Sequence, residues 1–193
     1  MRYGQFKSVE EVATQFDIEV AGRTVFVSEK ALEIPSVVLA MISDKLNDDT
    51  SYVTEFAVCD AIIRPILDVV ATNYRLKVWS HVSYDVDEKK GLTGEPDYLI
   101  APKTKYGAMA RPALCIIEAK RDDFDEGWTQ ALSVMMASSL LGAQVCYGVV
   151  TTGALWQFGK LENGVFVIDP RHLSATSELQ RVFNALNWVF NEI

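Results

Sequence analysis

The sequence predicts an α/β domain in which a mixed central β-sheet is flanked by helices. Three observations predict it. The runs Ala113–Ile117 and Val145–Val150 are nearly continuously apolar, as expected of strands buried on both faces. Segments 52–70, 125–141 and 179–193 carry apolar residues at steps of three and four, the period of an amphipathic helix. Shorter runs between them give the order helix, three strands, helix, strand, hairpin, helix. A chain of 193 residues is sized for one main domain, here 49–193, with a helical and hairpin elaboration at 1–48 packed on it.

Ser8 and Glu11 have capping-box spacing and open a short helix through Phe16. Asp17–Val20 and Thr24–Val27 flank Ala21-Gly22-Arg23, which predicts a small hairpin. Pro35 starts a helix to Leu46, and the polar cluster Asn47–Ser51 ends it. A longer helix follows from Tyr52 to Val70, with Phe56, Cys59, Ile62, Ile63, Ile66, Leu67 and Val70 as its apolar stripe. Pro65 should kink or restart it near Arg64. Leu76–Ser80 and His81–Val86 read as one strand and Asp97–Ile100 as the next. Pro102–Pro112 forms a loop before the strand Ala113–Lys120. Asp122 and Asp123 precede a helix from Asp125 to Leu141, bounded by Gly142, whose stripe is Trp128, Ala131, Leu132, Met135, Met136 and Leu140. After the strand Val145–Val150, Leu155–Phe158 and Val165–Ile168 make a hairpin across Asn163-Gly164. The last helix buries Leu179, Val182, Phe183, Leu186, Val189, Phe190 and Ile193, and Trp188 lies off that stripe as a candidate interface residue.

Composition narrows the function classes. Hydrophobic residues make up 49% and charged residues 23%, ordinary for a soluble globular protein. No apolar run approaches the ~20 residues of a membrane helix, so a cytoplasmic protein without a membrane partner is expected. Cys59, Cys115 and Cys146 lack paired spacing and read as buried thiols. A net charge of −8 argues against broad attraction to nucleic acid, though not against a local basic surface. There is no phosphate-loop or dinucleotide glycine motif. His81 and His172 have no serine elbow or cysteine partner, which excludes a hydrolase triad.

The chemistry concentrates where Gly94-Glu95-Pro96-Asp97 opens one strand and Glu118-Ala119-Lys120 closes the next. Strand periodicity puts Glu118 and Lys120 on one face, and neighbouring strands would set Asp97 against Glu118. Two converging carboxylates suit a hard cation such as Mg²⁺, which keeps several waters and accepts phosphate oxygens. Such an ion acidifies bound water towards a nucleophile, and Lys120 is placed to orient it or to stabilise charge on phosphorus. Without a cation the carboxylates would repel. Lys103, Lys105 and Arg111, with Tyr106 and no acid among them, make Pro102–Pro112 the candidate phosphate-contacting loop. Against this, Asp122, Asp123, Asp125 and Glu126 crowd after the motif and would repel phosphates.

The "PD" at Pro96-Asp97, with 20 residues between Asp97 and the "EAK" of Glu118-Ala119-Lys120, resembles the PD-(D/E)xK nuclease superfamily. The element order is similar as well. The chain looks most like the nuclease-like domains at the N-termini of type I restriction motor subunits and their small stand-alone bacterial relatives. In these a glutamate on the first core helix and a glutamine on the helix after the motif recur, and Glu55 and Gln130 stand at those positions. The resemblance covers residues 52–160. It implies a restriction-endonuclease-like fold, with Mg²⁺ or Mn²⁺ held by Asp97, Glu118, the Ala119 carbonyl and Glu55. It also implies that Gln130 reaches towards Lys120 or the phosphate, that DNA is the substrate, and that the protein is a homodimer. The expected function is a Mg²⁺-dependent deoxyribonuclease with Asp97, Glu118, Lys120, Glu55 and Gln130 as catalytic residues. The alternative, motivated by the acidic charge, is a catalytically silent accessory module of the same fold that binds a protein partner.

Overall fold

A computed structural model of the chain describes residues 3–193. Its helices are α1 (Val9–Phe16), α2 (Ser36–Leu46), α3 (Glu55–Val58), α4 (Arg64–Ala71), α5 (Phe124–Leu140) and α6 (Ala175–Glu192). Its strands are β1 (Glu19–Val20), β2 (Leu76–Ser80), β3 (Tyr98–Pro102), β4 (Cys115–Ala119), β5 (Val145–Thr151), β6 (Leu155–Glu162), β7 (Val165–Ile168) and β8 (Leu173–Ser174). They form one mixed sheet in the order β1-β7-β6-β5-β4-β3-β2, with β8 also paired to β6. β2, β3 and β4 run as an antiparallel meander, and α5 then carries the chain across so that β5 lies parallel to β4. A parallel neighbour requires such a crossover, whereas the antiparallel β6–β7 pair closes through the short Asn163-Gly164 turn.

Alternation along the strands divides the core in two. Cys115, Ile117 and Ile100 face α4 and α6, against Ile62, Ile66, Phe183 and Leu186. Ile116, Leu99 and Val150 face α5 and α1. The α5 side depends on Trp128, which occupies a slot over the cross-strand glycines Gly148 and Gly159. A Cβ on either glycine would come within 3.1 Å and 2.7 Å of the indole respectively. The Trp128 N–H donates to the buried Gln157 side chain at 2.7 Å.

Local signals account for the helix boundaries. Ser8 Oγ accepts the Glu11 N–H at 3.1 Å and caps α1. Thr54 caps α3 by accepting the Ala57 N–H at 3.0 Å, so that helix begins at Glu55 rather than Tyr52. The interruption expected from Pro65 takes the form of a π turn at Cys59–Ile63, where the Arg64 N–H donates to the Cys59 carbonyl. The widened turn precedes the residue that has no N–H to give, which is how a helix absorbs a proline.

Several expectations are corrected. The hairpin at 17–27 does not form. β1 pairs parallel with β7 instead, and the Phe26 and Val27 N–H groups donate to the Asp169 carboxylate, each at 3.0 Å. Residues 30–32 are tied to α6 by Asn184 and Asn187, so ladder bonds are replaced by side-chain clasps. β2 stops at Ser80 because His81 takes a positive φ of 48°, and 81–86 is irregular. Phe56 is 70% exposed and Leu140 45% exposed, so neither belongs to the buried stripe assigned to it. Trp188 is part-buried, its ring against Phe26 and Tyr147. All three cysteines are free and buried. No described helix is long and apolar enough to cross a membrane.

Candidate functional site

The β3–β4 register pairs Tyr98 with Ile117, so the next step brings Asp97 opposite Glu118 at the end of both strands. Both side chains project to the α5 side, the face that also takes Ile116 and Leu99. Asp97 is held at two points. Its carbonyl accepts the His81 N–H at 3.2 Å, and its Oδ2 accepts the Ala119 N–H at 2.8 Å. The carboxylate thus continues the ladder where the β3 backbone leaves it, which fixes its rotamer.

Glu118 is buried, at 4% exposure. Burial first, and then the neighbouring Asp97 charge, push its carboxyl well above the usual range, while Lys120 pulls the other way. Neither Asp97 nor Glu118 makes an ion pair with a described lysine or arginine. Two adjacent carboxylates, Glu118 buried and Asp97 part-buried, with no cation at ion-pair distance accommodate a proton or a metal ion.

Lys120 continues the same face, and its side chain is only 10% exposed. Gly127 in α5 makes room for its stem, since a Cβ there would lie 3.1 Å from Lys120 Cγ and 2.5 Å from Val150 Cγ1. The ammonium stands 3.9 Å from Glu126 Oε1, and Gln130 Nε2 donates to that same oxygen at 3.1 Å. Gln130 therefore reaches Lys120 through Glu126 rather than directly. The acidic cluster has local work as well. Asp123 caps α5 by accepting the Glu126 N–H at 2.8 Å, and Asp125 and Glu126 occupy the first turn, where the helix dipole favours negative charge.

Glu55 opens α3 within electrostatic reach of the site. Burial raises its carboxyl, Lys120 opposes that, and Asp97 and Glu126 add to it. It does not join the pair in a compact group, because the described residues hold no cluster of three or more His, Cys, Asp or Glu side chains suited to a metal. The donor set that fits a cation is thus Asp97 with Glu118, and Glu118 lines a cleft of about 1010 Å³. That suits a Mg²⁺ that retains most of its waters, not an ion fully enclosed by protein.

The cleft was not legible in the sequence. Tyr3, Gly4 and Gln5 form one wall, with Gly4 against Gln130, and Asp85, Glu88 and Glu95 line it with Glu118. The Tyr3 N–H donates to the Thr93 carbonyl at 2.9 Å, fastening the start of the chain over the site. None of the described lining residues is a lysine or arginine. Lys103 and Lys105 lie elsewhere, on the hairpin at the far end of β3. Arg111 does not line the cleft, but its guanidinium donates to the carbonyls of the lining residues Ser83 and Asp85, both at 3.1 Å, and lies over the Tyr84 ring. In comparisons with known proteins, no family model matches the chain and no curated protein matches it.

Proposed function

We propose that the protein is a Mg²⁺-dependent nuclease of the PD-(D/E)xK type, with a restriction-endonuclease-like fold, hydrolysing phosphodiester bonds in DNA. The observation that carries the reading is the Asp97–Glu118 pair at adjacent strand ends, Glu118 buried and Asp97 part-buried, with Lys120 on the same face. The antiparallel β2-β3-β4 meander, the α5 crossover and the parallel β5 support it, being the arrangement the resemblance calls for.

Asp97 and Glu118 would hold the ion, with the Ala119 carbonyl beside them and Glu55 at longer range. When bound, a divalent cation supplies positive charge at the phosphate and acidifies water. The Ala119 N–H keeps the Asp97 carboxylate in one orientation. Burial of Glu118 strengthens its attraction for a cation by excluding competing water. Lys120, its stem packed on Gly127, presents an ammonium for the charge that builds on the phosphate oxygens. Glu126 holds that ammonium in place and is itself steadied by Gln130.

Calorimetry with Mg²⁺ and Mn²⁺, paired with cleavage of supercoiled, linear, branched and single-stranded DNA, tests the reading. Metal binding and cleavage are expected of the wild type, and Asp97→Ala and Lys120→Ala should abolish cleavage while remaining folded. A wild type that binds neither metal sinks the catalytic reading. The acidic, cation-free lining of the cleft favours a second one, a catalytically silent module for a basic protein partner or a homodimer. A partner whose capture survives Glu118→Ala, together with no cleavage, would establish it.

A further inference from the structure

We propose that the β2 edge and the β3–β4 hairpin form a docking surface for the phosphate backbone of a DNA duplex, remote from the carboxylate pair. The proposal deepens the nuclease reading by naming where the substrate rests. Four exposed cations build it: Arg75, Lys77, Lys103 and Lys105. The β2–β3 ladder pairs Lys77 with Ala101 and Leu76 with Pro102. Alternation sets Arg75 and Lys77 on one face, and one step beyond the ladder Lys103 stands across from Arg75 on that face. Lys105 occupies the hairpin tip, its ammonium 4.9 Å from the centre of the Tyr106 ring, and Tyr106 is 84% exposed.

Charge is segregated in this part of the molecule. Segments 69–84 and 98–117 contain no Asp or Glu, although the chain carries 26 acidic against 18 basic residues. None of the four cations makes an ion pair among the described residues, whereas Arg64, Lys90, Lys120, Lys160, Arg171 and Arg181 do. Lysine on an edge strand also discourages sheet-to-sheet pairing. That role accounts for Lys77 but not for Lys105 and an exposed tyrosine at the hairpin tip.

The dimensions suit a duplex. From the level of Lys77 to Lys105 the surface extends about 13 Å, and a duplex presents about eight phosphates over that length, about half of them on one side. Lys103 lies about 20 Å along β3 from Asp97, so a duplex touching both sites spans about six base pairs. Arg111, held by backbone carbonyls, takes no part.

The test is fluorescence anisotropy of a labelled duplex of about 20 base pairs, titrated with salt in EDTA so that binding is read without the metal site. Four contacts predict a slope of about −3.6 in log K against log salt, an affinity loss of about 150-fold between roughly 50 and 200 mM. The triple variant Lys77→Ala, Lys103→Ala, Lys105→Ala should retain a slope of about −0.9 and lose only about 3-fold over that range. Lys7→Ala, Arg23→Ala, Lys45→Ala removes the same charge elsewhere and should behave as wild type. Equal binding by the two triple variants, no wild-type binding at the lowest salt, or polyglutamate binding as tightly as the duplex would each overturn the assignment. Duplex binding without cleavage in Mg²⁺ would defeat the nuclease reading and leave the surface standing.

Discussion

Substituting Asp169 by asparagine should detach the segment that joins the N-terminal residues to the sheet. Asp169 Oδ2 accepts the N–H groups of Phe26 and Val27, and the Arg171 guanidinium donates to both carboxylate oxygens, at 2.7 and 2.9 Å. The side chain is 1% exposed. Burial opposes its ionisation, but these bonds outweigh that and hold its carboxyl at about 2, against an ordinary 3.8. Such a lowering is worth about 2.4 kcal/mol of stability at neutral pH. Because the folded value lies below the unfolded one, this contribution is complete above about pH 5 and is lost as pH falls through 2. An asparagine retains one acceptor and turns an amide towards N–H donors, which adds to the cost. Asp169→Asn should therefore unfold about 2–4 kcal/mol sooner in urea at pH 7, melting at least about 5–10 °C lower for a chain of this size. The gap to wild type should narrow steadily towards pH 2, because only the wild type loses this term. A difference below about 0.5 kcal/mol at pH 7, the size of an ordinary surface substitution, would refute the reasoning. So would one that stays constant with pH.

Gly127→Ala should cost about 1–3 kcal/mol by overpacking against Val150, measured as a urea midpoint. If Lys120 acts on the phosphate, kcat should fall more than KM changes, because the added methyl crowds the Lys120 stem. Trp128→Phe leaves the buried Gln157 side chain without its indole donor and should destabilise by about 1–3 kcal/mol, beyond the loss of ring contacts. Glu118→Gln removes the buried one of two adjacent carboxylates, so in EDTA it should melt a few degrees above wild type. Added Mg²⁺ should raise the wild-type melting temperature and leave this variant unmoved. A variant that melts lower in EDTA would show that the pair is not a liability without metal.

Much of the architecture was legible because its signals are local. Ser8 with Glu11, Pro65 inside an apolar period, the run Cys115–Ala119 and Asn163-Gly164 each specify backbone geometry within a few residues, and the helices and central strands follow. The facing of Asp97 and Glu118 was legible for a related reason. Two antiparallel neighbours joined by one hairpin have little freedom of register once their apolar residues must alternate into opposite cores. What tertiary structure alone decided is every arrangement made by distant partners. Residues 17–27 have strand-like composition, yet two short runs gain less from each other than from β7 and the Asp169 carboxylate, more than 140 residues away. The cleft wall built by Tyr3, Gly4 and Gln5 against Gln130 left no trace in either segment alone. The far placement of Lys103 and Lys105 follows from strand direction, since the two ends of β3 are adjacent to the motif in sequence but about 13 Å apart in space. Sequence thus determined which residues alternate, cap and turn. The packed structure determined which charges meet, because charges act through space and not along the chain.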